Sequence, residues 1–307
     1  MGKSRTDDVV ARCPDDKGSE LAHSQDGFTA RLIATDIDGT IVPHGGTVSA
    51  RTRDALLTSV DAGIEVVLVT GRPPRWMPPV VDATGLRTTA ICANGAIVID
   101  TTDYSVIDIT TIPTETSLEM IELLRRAVPD VVFAAETPAV LRAGPGYEEG
   151  RTGGRRAEGL APTDRSVVVT DSHEDMLADQ VYKVVAVSNS ATPDGLLAAA
   201  RDTVGHLASV TRSSEGRALV ELGPLGMSKA TTLARHAASR GIEARDVIAF
   251  GDMPNDVEML AWAGRGYAMT GAHPEAVAAA SFTAPSAADD GVAQVLEQML
   301  APQVALT

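Results

Sequence analysis

Arg31-Leu32-Ile33-Ala34-Thr35-Asp36-Ile37-Asp38-Gly39-Thr40 is the stretch on which the fold turns: an aliphatic run breaks into two aspartates and a glycine. A short apolar run that stops at a Gly-containing loop predicts a buried strand. Downstream, Val48 to Ala62 has helical spacing and ends at Gly63, a helix stop signal. Ile64 to Thr70 is then a second uninterrupted buried strand. Strand, helix and strand at this spacing form a βαβ unit, which implies parallel strands and a right-handed crossover. The rhythm returns late in the chain, with a helix from Ser228 to Arg240, Gly241, a strand from Val247 to Phe250 and a helix after Pro254. The expected core is therefore α/β, a doubly wound Rossmann-like parallel sheet that uses both ends of the sequence.

The stretch between Thr70 and Lys229 far exceeds the dozen or so residues that a parallel crossover needs. Part of it must be an inserted unit. The expected division is an extension over 1–28 with no apolar period, a core over 29–100 and 216–307, and an inserted α+β domain over 101–215. Within the insert, strands are expected at Tyr104 to Ile109, Val131 to Ala135 and Tyr182 to Val187, and helices at Ser117 to Ala127 and Pro193 to Val204. Gly144 to Gly159 reads as a long loop whose Arg151, Arg155 and Arg156 either grip an anionic substrate or, the reading its composition favours, are solvated.

Composition agrees with this organisation and removes several function classes. At 307 residues the chain exceeds what one hydrophobic core comfortably serves, so two domains are expected. Aromatics are only 3%, which leaves the core to Ala, Val, Leu and Ile. The net charge of −15 repels a polyphosphate backbone and argues against nucleic acid as a partner. Cys13 and Cys92 lie in a polar leader and at the end of an apolar run, an arrangement that suits neither a disulfide nor a zinc site. No apolar stretch is long enough for a membrane span and no secretory leader is evident, so a cytoplasmic location is expected. The opening Met1-Gly2-Lys3-Ser4-Arg5-Thr6 fits the loose myristoylation pattern, too short a match to carry an assignment.

Chemistry concentrates at strand ends. Asp36 and Asp38 follow the first strand, at the carboxyl edge where open α/β sheets bind ligands. One such carboxylate can hold a hard cation or attack an electrophile while the other moves a proton. Gly251-Asp252-Met253-Pro254-Asn255-Asp256 brings more carboxylates to the same edge after the strand Val247 to Phe250. Such a cluster repels itself unless a cation is present, and oxygen-only ligands select Mg²⁺ over zinc. Thr70-Gly71-Arg72 offers a hydroxyl and backbone N–H groups suited to a phosphoryl oxygen. Lys229, early in its helix, supplies a point positive charge. Gly223 to Lys229 is not a P-loop, because the glycine spacing is wrong. Cys92, Met259 and Trp262 read as core, and His273 before Pro274 as a helix start.

In order along the chain, Asp36-x-Asp38-Gly39-Thr40, Thr70-Gly71-Arg72, Lys229 and Gly251-Asp252-x-x-Asn255-Asp256 resemble the four motifs of the haloacid dehalogenase superfamily. The Cof-type, sugar-phosphatase-like branch, subfamily IIB, is the best match, through Asn94-Gly95-Ala96, Ala263-Gly264, Ala268-Met269 and His273-Pro274-Glu275. The resemblance implies a core with a C2-type cap and a Mg²⁺-dependent phosphomonoester hydrolase acting on a small phosphorylated metabolite such as a sugar phosphate. By the same resemblance Asp36 is the nucleophile that forms an aspartyl-phosphate, Asp38 the general acid and base, and Thr70 and Lys229 the groups that stabilise the phosphoryl oxygens. Gly71, Arg72, Asn94, Gly95 and Asn255 would bind phosphate or substrate. Asp36, Asp38 through its main-chain carbonyl, and Asp252 would hold Mg²⁺, with Asp256 in support. Gly271 and Ala230 depart from the branch, which commonly has Asn and Gly there. A phosphosugar mutase, or a non-catalytic binding protein on this fold, are the alternatives. Free phosphate release would separate the leading reading from both.

Overall fold

The computed structural model describes residues 28–148, 167–213 and 216–301. The early strands are β1 (Leu32–Thr35), β2 (Glu65–Val69), β3 (Thr89–Cys92), β4 (Ile97–Asp100) and β5 (Val106–Ile109). The middle of the chain forms β6 (Val132–Glu136), β7 (Leu141–Ala143), β8 (Val167–Val169), β9 (Lys183–Val187), β10 (Ala208–Thr211) and β11 (Leu219–Pro224). The last strands are β12 (Val247–Gly251), β13 (Arg265–Met269) and β14 (Phe282–Ala284).

These strands make two sheets. The larger runs β14-β13-β12-β1-β2-β3-β4-β5 and the smaller β10-β11-β9-β6-β7-β8. From β14 to β3 the larger sheet is parallel, with β1 flanked by β12 and β2 in a register that sets Ile33 beside Ile248 and Val66. Its central strands β12, β1, β2 and β3 are buried on both faces, as continuous aliphatic runs require, while the edge strands β5 and β14 are largely exposed. Leu32, Ala34, Val67 and Val247 pack against Leu233 and Ala237 of the helix Lys229–Ser239. Ile33, Val66 and Ile248 face the other way, onto Leu56 of the helix Ala50–Asp61 and Leu296 of the helix Gly291–Leu300. Alternate residues of one strand thus bind helices on opposite faces, which is what double winding means physically.

Two boundaries differ from the sequence expectation. Val106–Ile109 does not belong with an insert that starts at 101: it folds back antiparallel onto β4 through a turn closed by Asp100 N–H to the Ser105 carbonyl, 3.0 Å. Leu219–Pro224 does not belong with a core that resumes at 216, because it lies between β10 and β9 in the smaller sheet. Local pattern finds strands, but only partners assign them to a sheet. The extension 1–27, most of the loop Gly144 to Gly159 with its three arginines, and Cys13 lie outside the described residues.

Besides a small cluster of Ala134, Ala143, Tyr147, Val185 and Val187 on one face, the smaller sheet has a main apolar face, where Phe133, Val184, Ala186, Val220 and Leu222 bury Met120 and Leu124 of the helix Thr114–Ala127 and Leu196 and Ala200 of the helix Pro193–Val204. Its strand alternation turns Glu136, Lys183 and Glu221 to the opposite face. That face meets the larger sheet: Arg75 pairs with Glu136, and Lys183 Nζ reaches the Gly71 carbonyl. Among the described residues no helix is long and apolar enough to cross a membrane.

Candidate active site

The chain leaves β1 toward β2 on one side and returns as β12 on the other, so the sheet has its topological switch point between β1 and β12. Asp36 follows β1 and Asp252 follows β12, at the carboxyl ends of these two neighbours. The loop between β1 and the first helix can tighten there because Gly39 has φ +81°, and a Cβ on it would stand 2.1 Å from Asp252 Oδ2. Only glycine lets that backbone approach the carboxylate.

Lys229 opens its helix behind a Ser228 N-cap that exchanges hydrogen bonds with Thr231. Its side chain is completely buried and its Nζ lies 2.5 Å from Asp36 Oδ1 and 2.6 Å from Asp256 Oδ1. Asp256 Oδ2 accepts the N–H groups of Asp252 (3.1 Å) and Met253 (3.0 Å). Asp256 is therefore a brace, with both oxygens engaged. Gly95, at φ +104°, packs against the Ser228 carbonyl and accepts from Thr232 Oγ1 at 2.8 Å, so its contact is with the start of the lysine helix.

Oxygens of Asp36, Asp252 and Asp256 all lie within 4.8 Å of one another in buried surroundings. Burial is the main cause that raises Asp36 to about 7, with Asp256 and Asp38 adding to it against the opposing pull of Lys229. Burial, then Asp36 and Asp256, raise Asp252 to about 9. Burial alone would lower Lys229, but Asp256 and Asp36 outweigh it and hold the ammonium above its ordinary range. Three carboxylates against one ammonium leave an excess of negative charge with hard oxygen donors, which fits a divalent cation of the Mg²⁺ kind.

The Asp38 side chain stands apart from this cluster. It is half exposed and gripped by Arg72, Nε to Oδ2 at 2.7 Å and Nη2 to Oδ1 at 2.5 Å. Thr70 is buried, its Oγ1 accepting the Arg72 N–H at 3.0 Å. Asn94 and Asn255 do come together, Asn255 Nδ2 donating to Asn94 Oδ1 at 2.9 Å. Two residues that sequence reasoning passed over complete this run: Asn94 Nδ2 donates to Glu221 Oε2 at 2.9 Å, and Lys183 Nζ sits 2.5 Å from Glu221 Oε1. Their signal was a single charge inside each of two apolar strands. Beside them lies a cavity of about 450 Å³ lined by Asn94, Lys183, Lys229 and Asn255, between the smaller sheet and the start of the lysine helix.

The profile of the haloacid dehalogenase-like hydrolase family matches residues 33–296, which takes in both sheets and every motif above. The chain belongs to that family. Within it the Cof-type branch is the one its sequence and architecture share, and it is a phosphatase. It is 28% identical over 296 residues to the 5-amino-6-(5-phospho-D-ribitylamino)uracil phosphatase YwtE of Bacillus subtilis, covering 90% of this chain and 100% of that one. It is 30% identical over 280 residues to the pyridoxal phosphate phosphatase YbhA of Escherichia coli, covering 88% and 98%. Among solved structures, the phosphatase BT1666 of Bacteroides thetaiotaomicron superposes with a TM-score of 0.73 at 24% identity, over 93% of this chain and 97% of that one, a likeness of fold.

Proposed function

We propose that this phosphatase is a cytoplasmic, Mg²⁺-dependent hydrolase of a small phosphorylated metabolite, a sugar phosphate or a compound of similar size, working through an aspartyl-phosphate on Asp36. The observation that carries the reading is the charge balance at the sheet edge, where three buried carboxylates cluster and the one ammonium pairs with two of them, Asp36 and Asp256. Asp36, the Asp38 main-chain carbonyl and Asp252 are the groups that would hold the cation, with Asp256 bracing Lys229 and the Asp252 N–H. When bound, the cation supplies the positive charge that keeps Asp36 ionised and offsets repulsion between carboxylate and phosphate dianion.

In this reading Asp36 attacks phosphorus with the oxygen that Lys229 does not hold, and the ester bond breaks as Asp38 protonates the leaving alkoxide. Asp38 then takes a proton from water, whose oxygen attacks the phosphoaspartate and releases phosphate and free Asp36. Lys229, Thr70 and the Gly71 N–H would stabilise the equatorial oxygens, which is most of what phosphoryl transfer asks of a protein. The Arg72 grip on Asp38 gives substrate a way to start the sequence. A phosphate dianion competes for the guanidinium and frees the carboxyl group to act.

The test is phosphate release by the purified protein with Mg²⁺ across phosphorylated sugars, pyridoxal phosphate, the ribitylaminouracil phosphate and other small phosphoesters. Release that a chelator stops and Mg²⁺ restores is the expected result. Full release in excess chelator, or isomerised product without free phosphate, would overturn it.

A further inference from the structure

Glu221 on β11 lies opposite Val185 on β9, two residues from Lys183, so strand alternation puts ammonium and carboxylate on one face of the smaller sheet. Both are almost fully buried, the side chains 5% and 6% exposed. Lys183 Nζ holds Glu221 Oε1 at 2.5 Å and the Gly71 carbonyl at 2.8 Å. From Glu221 the run continues to Asn94 and then Asn255, each link 2.9 Å. Burial pulls Glu221 upward, but Lys183, with hydrogen bonds from Lys183, Asn94 and Ser213, brings it below the usual carboxylate range.

The direction of this run is imposed from its charged end. An ammonium only donates and a carboxylate only accepts. Asn94 must therefore turn its nitrogen to Glu221, which leaves its oxygen for Asn255, and Asn255 must answer with its own nitrogen. Asn255 Oδ1 is then placed by exclusion, buried and without a hydrogen-bond partner among the described residues. Asn255 alone cannot turn over to relieve it, because that would set one carbonyl oxygen against another. Asn255 lies in the loop of Asp252 and Asp256, and the Gly71 carbonyl belongs to the peptide joining Gly71 to Arg72, the residue that holds Asp38.

We propose that Lys183 and Glu221 are positioning residues for phosphoryl transfer: from the smaller sheet they fix the orientation of the Asn94 and Asn255 amides and pin the Gly71 peptide, so the two loops that carry Thr70 and Asp252 take their working geometry only with that sheet docked. The proposal rests on the phosphatase reading. Neither residue touches the reacting atoms.

Glu221→Gln tests it with almost no change of shape. Its amide offers oxygen to Lys183 and nitrogen to Asn94, which forces both asparagines to reverse. With an aryl phosphate as substrate, kcat is expected to fall about tenfold or more while KM moves less than about threefold. Adding Asn94→Asp restores the original direction, since the substituted amide then donates to one oxygen of the new carboxylate and Asn255 to the other, with one negative charge moved by one link. The double variant should recover most of the lost kcat, and Asn94→Asp alone, with two carboxylates facing, should be the poorest of the three.

A Glu221→Gln enzyme within about twofold of wild type, a change confined to KM, or a double variant as poor as the product of the singles would each overturn the proposal. If Glu221→Gln does not fold, the double variant decides: folded and active supports the relay, folded and inactive refutes it. If wild-type protein releases no phosphate from any substrate, the phosphatase reading falls. The relay is then judged by thermal midpoint, lowered in Glu221→Gln and restored in the double variant, and unrestored if the relay is wrong.

Discussion

In the proposed mechanism Asp36 attacks phosphorus as an anion, yet burial beside Asp256 and Asp38 raises it from its ordinary 3.8 to about 7. Asp252 rises to about 9 for similar reasons. In the metal-free protein the folded state thus keeps protons that the unfolded chain has lost, so this contribution to stability falls as pH rises from about 4 to about 9. A bound cation removes the penalty. The thermal midpoint gained on adding Mg²⁺ should therefore grow with pH across that window, and Mg²⁺ binding near neutral pH should release protons, measured by calorimetry in buffers of different ionisation enthalpy. A Mg²⁺ effect that is flat or shrinks with rising pH would contradict the carboxylate assignment. The two aspartates should also separate kinetically. Asp36→Asn should lose phosphate release and phosphoenzyme together, whereas Asp38→Asn should still give a burst with a good aryl leaving group, then slow turnover. Wild-type-like turnover in either would remove its proposed role. These residues were legible because strand-end aspartates, Thr-Gly-Arg and a late lysine are chemical types in a fixed order. Lys183 and Glu221 were not, because one charge in an apolar strand is ambiguous until folding joins residues 38 apart.

At the scale of elements, the turn after β1 decides whether the site forms. Gly39 has φ +81° and leaves no room for a Cβ beside Asp252, while Gly45, farther along the same connection, has φ +71° and nothing within 4 Å. Gly39→Ala should therefore displace the Asp252 carboxylate as well as strain the backbone, costing about 1–3 kcal/mol of stability. Gly45→Ala should cost only the backbone strain, about 1–2 kcal/mol. The discriminating measurement is the Mg²⁺-induced rise in thermal midpoint, expected to be lost in Gly39→Ala and kept in Gly45→Ala. Retention in both would mean that the loop tolerates the carboxylate's movement. The βαβ elements at both ends of the chain were readable because continuous aliphatic runs and glycine stops are local signals. Strand partnership is not local, and so Val106–Ile109 and Leu219–Pro224 could be placed only by their neighbours β4 and β9.

For the molecule as a whole, the question is what binds a smaller sheet with its own apolar core to a larger one. Most apolar burial serves each sheet's own helices, Tyr182 beside β9 packs into the larger sheet's core, and polar groups also bridge the gap: Lys183 to Gly71, Asn94 to Glu221, and Arg75 to Glu136. The last pair is 2.6 Å long with side chains 15% and 5% exposed, so neither charge has much water to fall back on. Removing one partner of such a pair leaves the other uncompensated, at about 3–5 kcal/mol, while removing both gives much of that back. Arg75→Met and Glu136→Gln should each lower the denaturant midpoint strongly, and the double variant should be far less unstable than their sum, with a coupling energy above about 1.5 kcal/mol. Additivity within about 0.5 kcal/mol would mean the pair does not join the sheets energetically. Because Lys183 and Glu221 share the Glu136 face, the same variants should also lower kcat before they abolish folding, since a sheet held more loosely positions the Gly71 and Asn255 loops less often.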